Sequence, residues 1–140
     1  MQIVDNKAVL LRLRHPAKVT TVIPRSQALA DNQVLVKWGI DEAHVLKNLN
    51  IKVPSPIEGK YTWTGKHTPF DHQKTTASFL TMHKRAFCFN EQGTGKTASA
   101  IWASDYLMNA GVIRRVLVIC PLSIMDSAWR NDLFTFAMHR

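Results

Sequence analysis

Two unbroken apolar runs, Arg85-Ala-Phe-Cys-Phe89 and Val116-Leu-Val-Ile-Cys120, bracket a glycine-bearing turn from Asn90 to Lys96 and a helical stretch from Thr97 to Asn109. Strand, turn, helix, strand in that order specifies a parallel α/β sheet, because parallel neighbours need a crossover and the crossover helix covers a sheet face. Runs without polar alternation suit strands covered on both faces. In the helical stretch Ala100, Ile101, Ser104, Leu107 and Met108 share one face, and Gly111 is placed to end the helix as its left-handed cap. Pro121 stops the second run, and a last helix is expected from about Ile124 to Ala137, with Trp129, Leu133 and Phe136 inward. Upstream, Thr68 as cap and Pro69 in the first turn open a helix carrying Phe70, Gln73, Ala77 and Leu80.

The chain changes style near Pro54-Ser55-Pro56, so two regions are expected, 1–56 and 57–140. The first reads as a small β-rich α+β appendage. Gln2 to Asp5, Ala8 to Arg14, Lys18 to Ile23 and Gln33 to Trp38 look like short strands, with turn formers between them. A helix follows from about Asp41 to Asn50, with Asp41 as its cap and Val45, Leu46 and Leu49 as its stripe.

With 140 residues, 46% hydrophobic and 20% charged, the chain can bury a core and is not of disordered or collagen-like composition. Eighteen Lys and Arg against 10 Asp and Glu leave +8, which fits a polyanionic partner or simply a basic exterior. Cys88 and Cys120 sit inside apolar runs, where cysteine acts as a small hydrophobe, and form no disulfide framework. The opening residues lack signal-peptide character and no run approaches the roughly 18 apolar residues of a membrane span, so a cytoplasmic protein without membrane attachment is expected.

The chemistry concentrates in Asn90-Glu91-Gln92-Gly93-Thr94-Gly95-Lys96-Thr97. Gly93 and Gly95 let the backbone turn tightly, so that successive N–H groups can meet phosphate oxygens while the next helix aims its positive end at the same point. Lys96 is suited to the β- and γ-phosphates, and the Thr97 hydroxyl to Mg²⁺. The strict phosphate-loop pattern has Gly five places before Gly95, where this chain has Asn90. The competing reading is a glycine-rich turn whose Lys and Thr are incidental; the strand before and helix after favour nucleotide binding.

Gly93-Thr94-Gly95-Lys96-Thr97, preceded by Glu91, resembles motif I of superfamily 2 helicases, especially Swi/Snf-type DNA translocases, in which the first loop position need not be Gly. Pro69-Phe70-Asp71-His72-Gln73 resembles that family's adenine-reading segment, which gives Gln73 the adenine edge; His72 stands where the family often has an aromatic. Val116 to Ser123 followed by Trp129 resembles motif Ia. The resemblance covers roughly Tyr61 to Arg140 and implies a RecA-like P-loop NTPase lobe. By the resemblance ATP is held by Gln73, Glu91, Gln92, Gly93, Thr94, Gly95, Lys96 and Thr97, with Lys96 and Thr97 catalytic and Thr97 on Mg²⁺. Pro121, Leu122 and Ser123 then line a nucleic-acid track, with double-stranded DNA the expected partner, in a bacterial or phage-infected cell.

Asp41-Glu42-Ala43-His44 spells a helicase signature, but it lies about fifty residues before the loop. The family's paired acids follow it, so a helix start is the reading taken for Asp41. The 43 residues after Thr97 contain no apolar strand ending in Asp-Glu, and Asp126 and Asp132 fall in a helical pattern. The expectation is therefore the N-terminal part of a longer ATP-dependent helicase or translocase, inactive by itself, whose second RecA-like lobe lies elsewhere in the full chain. Two other readings remain open at this point, a P-loop ATPase or kinase of another lineage and a non-catalytic nucleic-acid-binding module.

Overall fold

The structure is a computed structural model that describes residues 1–139. The chain forms two compact units, Met1–Lys60 and Tyr61–Arg140. The dividing point falls after Lys60 rather than Pro56, because Ile57 is fully buried and the Lys60 ammonium donates to the Trp38 carbonyl.

In the first unit, β1 (Gln2–Val4), β2 (Ala8–Arg12), β3 (Gln27–Leu29) and β4 (Gln33–Lys37) make an antiparallel sheet of order β1-β2-β4-β3. Val9 lies opposite Val36 and Leu11 opposite Val34, so these four share a face and are at most 3% exposed. Period-two alternation thus becomes one apolar face. The two hairpins turn on equivalent pairs, Asp5-Asn6 and Asp31-Asn32, all four residues having φ between 49° and 57°. The side chains of Asn and Asp tolerate that left-handed region, and two such residues in succession match the twist of a tight hairpin.

Helix α1 (Ala17–Thr20) replaces the strand expected over Lys18 to Ile23. Val19 and Ile23 are both in the core, at 0% and 5% exposure, and stand four residues apart, a helical rather than a strand spacing. Helix α2 (Ile40–Asn48) buries Ile40, Ala43 and Leu46, with Val45 and Leu49 half-buried against the core. Its cap is Gly39, which gives no side-chain hydrogen bond, so Asp41 is not the cap; it stands in the first turn, where a carboxylate complements the helix dipole. The short α3 (Ile57–Lys60) closes the unit, and the Trp38 indole donates to the Pro54 carbonyl at 3.0 Å.

The second unit contains α4 (Asp71–Met82), α5 (Lys96–Asn109), α6 (Leu122–Ile124), a π-helical turn at Met125–Arg130 and α7 (Asn131–Phe136). Helix α4 begins later than Thr68-Pro69 suggests, because the Phe70 N–H is taken by the Gln73 side chain and Phe70 is the cap. Helix α5 ends in paired bonds from Gly111 N–H to the Met108 carbonyl and from Val112 N–H to the Leu107 carbonyl, with Gly111 at φ 72°. This is the Schellman closure.

Helix α5 buries Ala98, Ser99, Ile101, Trp102, Ala103, Asp105 and Tyr106, so of the stripe expected at Ala100, Ile101, Ser104, Leu107 and Met108 only Ile101 is buried. Aromatic packing decides it. Trp102 is 1% exposed and meets Trp63 and Phe136 edge-on at 5.6 and 5.0 Å, while Tyr106 meets Tyr61 at 6.0 Å. The Trp102 indole donates to the Thr64 carbonyl at 2.8 Å, and Thr64 Oγ1 donates to the Phe136 carbonyl. Asp105, 2% exposed, accepts from the Tyr61 hydroxyl at 2.7 Å and the Asn109 amide at 3.2 Å, with His139 Nε2 at 3.0 Å.

The architecture is mixed α/β, and the one sheet among the described residues is the antiparallel one of the first unit. Neither Arg85–Phe89 nor Val116–Cys120 forms a strand. Phe87, Phe89, Leu117 and Ile119 are 82–90% exposed, and Cys88 and Cys120 are free and half-buried rather than core residues. A strand exists only when a neighbour takes up its N–H and C=O groups, and no segment pairs with either run among the described residues. The last helix is likewise broken: Trp129 and Phe136 are half-buried and Leu133 is 39% exposed.

Candidate functional site

The loop from Asn90 to Gly95 runs into α5, and α4 packs along α5 beside it. Gly93 and Gly95 both adopt left-handed backbone, with φ of 76° and 75°, and Gly95 is the cap residue of α5. At Gly93 only the conformation demands glycine, since a Cβ there would meet nothing within 4 Å. At Gly95 a Cβ would also lie 2.1 Å from Gln73 Nε2, so the Gln73 side chain would have to shift. The first amides of α5 have no acceptor within the helix, so the loop and helix start present donors and a positive dipole end together.

Lys96 folds back over the loop. Its ammonium donates to the carbonyls of Asn90 and Glu91 at 2.8 and 2.7 Å, and Thr94 Oγ1 also donates to the Glu91 carbonyl at 2.8 Å. The cation is paired with neutral oxygens, not with a carboxylate. The half-buried Thr97 hydroxyl has no hydrogen bond among the described residues.

Gln73 sits against the crest of the loop. Its Oε1 accepts from Phe70 N–H at 3.0 Å and its Nε2 donates to the Thr94 carbonyl at 3.4 Å. An amide has two acceptor lone pairs and two donor hydrogens, so one of each remains, with the orientation of the group set by the two bonds already made. His72 Nε2 lies 3.1 Å from the same Thr94 carbonyl. Its ring is stacked on that of Phe70, 5.6 Å between centroids and 12° between planes, and Phe70 is 68% exposed. Phe70 thus leaves much of its ring open, while its backbone N–H is bonded to Gln73.

The structure therefore brings Gln73, Thr94, Gly95, Lys96 and the Glu91 carbonyl together, with Thr97 following in the first turn of α5; Gln92 is exposed on the outer bend. Pro121, Leu122 and Ser123 lie apart from this cluster in hydrogen bonding. Pro121 caps the single turn α6, Leu122 is 84% exposed, and the Ser123 carbonyl accepts from Ser127 Oγ. Asp41 and Glu42 lie in the first turn of α2 within the first unit, not at a strand end.

Two contacts were not evident from sequence. Asn90 Nδ2 donates to Thr76 Oγ1 at 2.8 Å, and His72 reaches the loop crest. The departure from Gly at Asn90 was the visible signal for the first; the second had none.

Positive charge at this bend comes from Lys96, and a phosphate ligand would need that charge together with the loop N–H groups. For Mg²⁺ the protein offers the Thr97 hydroxyl, and no group of three His, Cys, Asp or Glu that could hold a metal occurs among the described residues. No helix among the described residues is long and apolar enough to cross a membrane. No protein-family model, curated protein or solved structure matches the chain.

Proposed function

We propose that the chain binds MgATP on the Gly93–Thr97 loop, as the ATP-binding part of an ATP-dependent nucleic-acid helicase or DNA translocase of the Swi/Snf-like kind. The observation that supports the nucleotide reading is the packing of the Gln73 amide against Gly95 and the Thr94 carbonyl at the start of α5. The remaining donor and acceptor of Gln73 complement adenine, which offers the N6 amino hydrogen and the N7 lone pair on one edge. Guanine offers two acceptors there and is disfavoured. Glu91 and Gln92 contribute loop backbone, Thr94 shapes the crest, Lys96 meets the terminal phosphates and Thr97 holds Mg²⁺.

The order of adenine-reading segment, motif I and motif Ia supports the helicase reading. In it the runs at Phe87–Phe89 and Val116–Cys120 become strands of a RecA-like parallel sheet once neighbours pair with them, and Pro121, Leu122 and Ser123 meet nucleic-acid phosphates. Hydrolysis also requires a metal-orienting acid and transition-state charge from a second lobe, which these 140 residues do not offer. Binding without turnover is the expected behaviour of the chain alone.

Calorimetric titration of the parent and of Lys96→Ala with MgATP tests the reading. Lys96→Ala is expected to lose nucleotide binding, while retaining binding to double-stranded DNA that weakens steeply with salt. A variant that binds MgATP as tightly as the parent would overturn the phosphate assignment.

A further inference from the structure

We propose that Asn90 is a positioning residue for the nucleotide: with Thr76 it ties the mouth of the loop to the helix that carries Gln73, so that base and phosphate recognition are coupled through α4. The inference rests on the nucleotide reading of the loop.

Asn90 occupies the place where the strict phosphate-loop pattern has glycine, and there its side chain has a defined task. Its amide donates to Thr76 Oγ1 at 2.8 Å, and Thr76 is 8% exposed. The Thr76 hydroxyl proton is already given to the His72 carbonyl at 2.8 Å, so the oxygen is oriented to accept. The carbonyl of the same Asn90 takes one bond from Lys96. An unbroken series of contacts thus runs from the body of α4, through Asn90, to the ammonium that meets the phosphates.

A second grip lies at the other side of the loop, where Gln73 and His72 hold the Thr94 carbonyl. Gln73 and Thr76 are three residues apart on α4 and share a face. Between the two grips stands Gly93, with left-handed backbone and open space around it. The loop is therefore held at its mouth and at its crest by one helix, Glu91 between them is bonded by Thr94 and Lys96, and the open space is at Gly93. A base drawn onto Gln73 acts on the same helix face that fixes the mouth, and through it on Lys96.

The test compares MgATP with magnesium tripolyphosphate, which lacks the base, by calorimetry on the parent, Asn90→Gly, Thr76→Val, Thr76→Ser and the Asn90→Gly/Thr76→Val double variant. Asn90→Gly loses the half-buried bond to Thr76, whereas Thr76→Val loses that bond and its own to the His72 carbonyl; MgATP binding should weaken about five- to tenfold in Asn90→Gly and at least as much in Thr76→Val. The double variant should fall no further than about twofold below Thr76→Val, which already lacks the contact that Asn90→Gly removes. Tripolyphosphate should weaken less than ATP, so that the advantage conferred by the base shrinks about threefold or more. Thr76→Ser keeps the hydroxyl and should stay within about twofold of the parent.

Equal losses for ATP and tripolyphosphate, or Thr76→Ser behaving like Thr76→Val, would show a loosened loop without coupling and overturn the inference. So would an Asn90→Gly affinity within about twofold of a parent that binds MgATP, and in that case the nucleotide reading stands. A parent that binds neither ligand overturns both. Should Asn90→Gly fail to fold, the Thr76 pair carries the same discrimination.

Discussion

Gly95→Ala and Gly93→Ala impose the same backbone strain and different collisions, and their difference measures how closely Gln73 is packed on the loop. Each alanine must take φ near 75°, which costs roughly 1–2 kcal/mol for a residue with a Cβ. At Gly93 that is the whole cost, since the new Cβ meets nothing within 4 Å. At Gly95 the Cβ would stand 2.1 Å from Gln73 Nε2 and 3.2 Å from its Cδ, so the amide must leave. Its departure forfeits the bonds to Phe70 N–H and the Thr94 carbonyl, each worth about 1 kcal/mol net, the longer one less. Gly95→Ala should therefore cost about 2–4 kcal/mol and Gly93→Ala about 1–2.

Amide hydrogen exchange of α5 reports the second unit alone and is the appropriate assay. A Gln73→Ala background provides the control, because with the amide gone the Gly95→Ala cost should shrink to that of Gly93→Ala. Equal costs for the two glycine variants in the parent, or an unchanged Gly95→Ala cost without Gln73, would refute the close packing of Gln73.

Other outcomes follow from the core of the second unit. Burial pushes the Tyr106 phenol from 10.0 up to about 12, so the neutral form is favoured in the folded chain. The stability this provides is fully present below pH 10 and is lost as pH rises through 12; urea melts across that window should fall by about 1–2 kcal/mol, and Tyr106→Phe should abolish the slope. Trp102→Ala removes two edge-on aromatic contacts and the indole bond to the Thr64 carbonyl, and should cost about 3–5 kcal/mol in hydrogen exchange of α5.

What could be read from sequence depended on whether the signal was local. Alternation placed β2 and β4, since Val9, Leu11, Val34 and Val36 need only their own period to face one side. Helix α5 and its Gly111 ending were legible for the same reason, as capping uses residues within one turn. Val19 and Ile23 misled, because a short β-branched stretch satisfies strand propensity while the core takes it at helical spacing. Phe87–Phe89 and Val116–Cys120 show the limit of propensity more sharply: side chains can favour a strand, but only a distant partner makes one. Motif order pointed to Gln73 and to the Gly93–Thr97 loop, which a bond to the Thr94 carbonyl joins, whereas the Asn90–Thr76 contact joins residues fourteen apart with no periodic trace.

The Lys96 ammonium rests on the carbonyls of Asn90 and Glu91, so the loop is closed on itself through its own cation. Under the proposed reading, an incoming phosphate exchanges neutral acceptors for charged ones on a cation already in place. Little disorder then has to be frozen out at the moment of capture. On that same reading, discrimination between nucleotides would pass to what lies beyond the phosphates, where Phe70 and Gln73 stand.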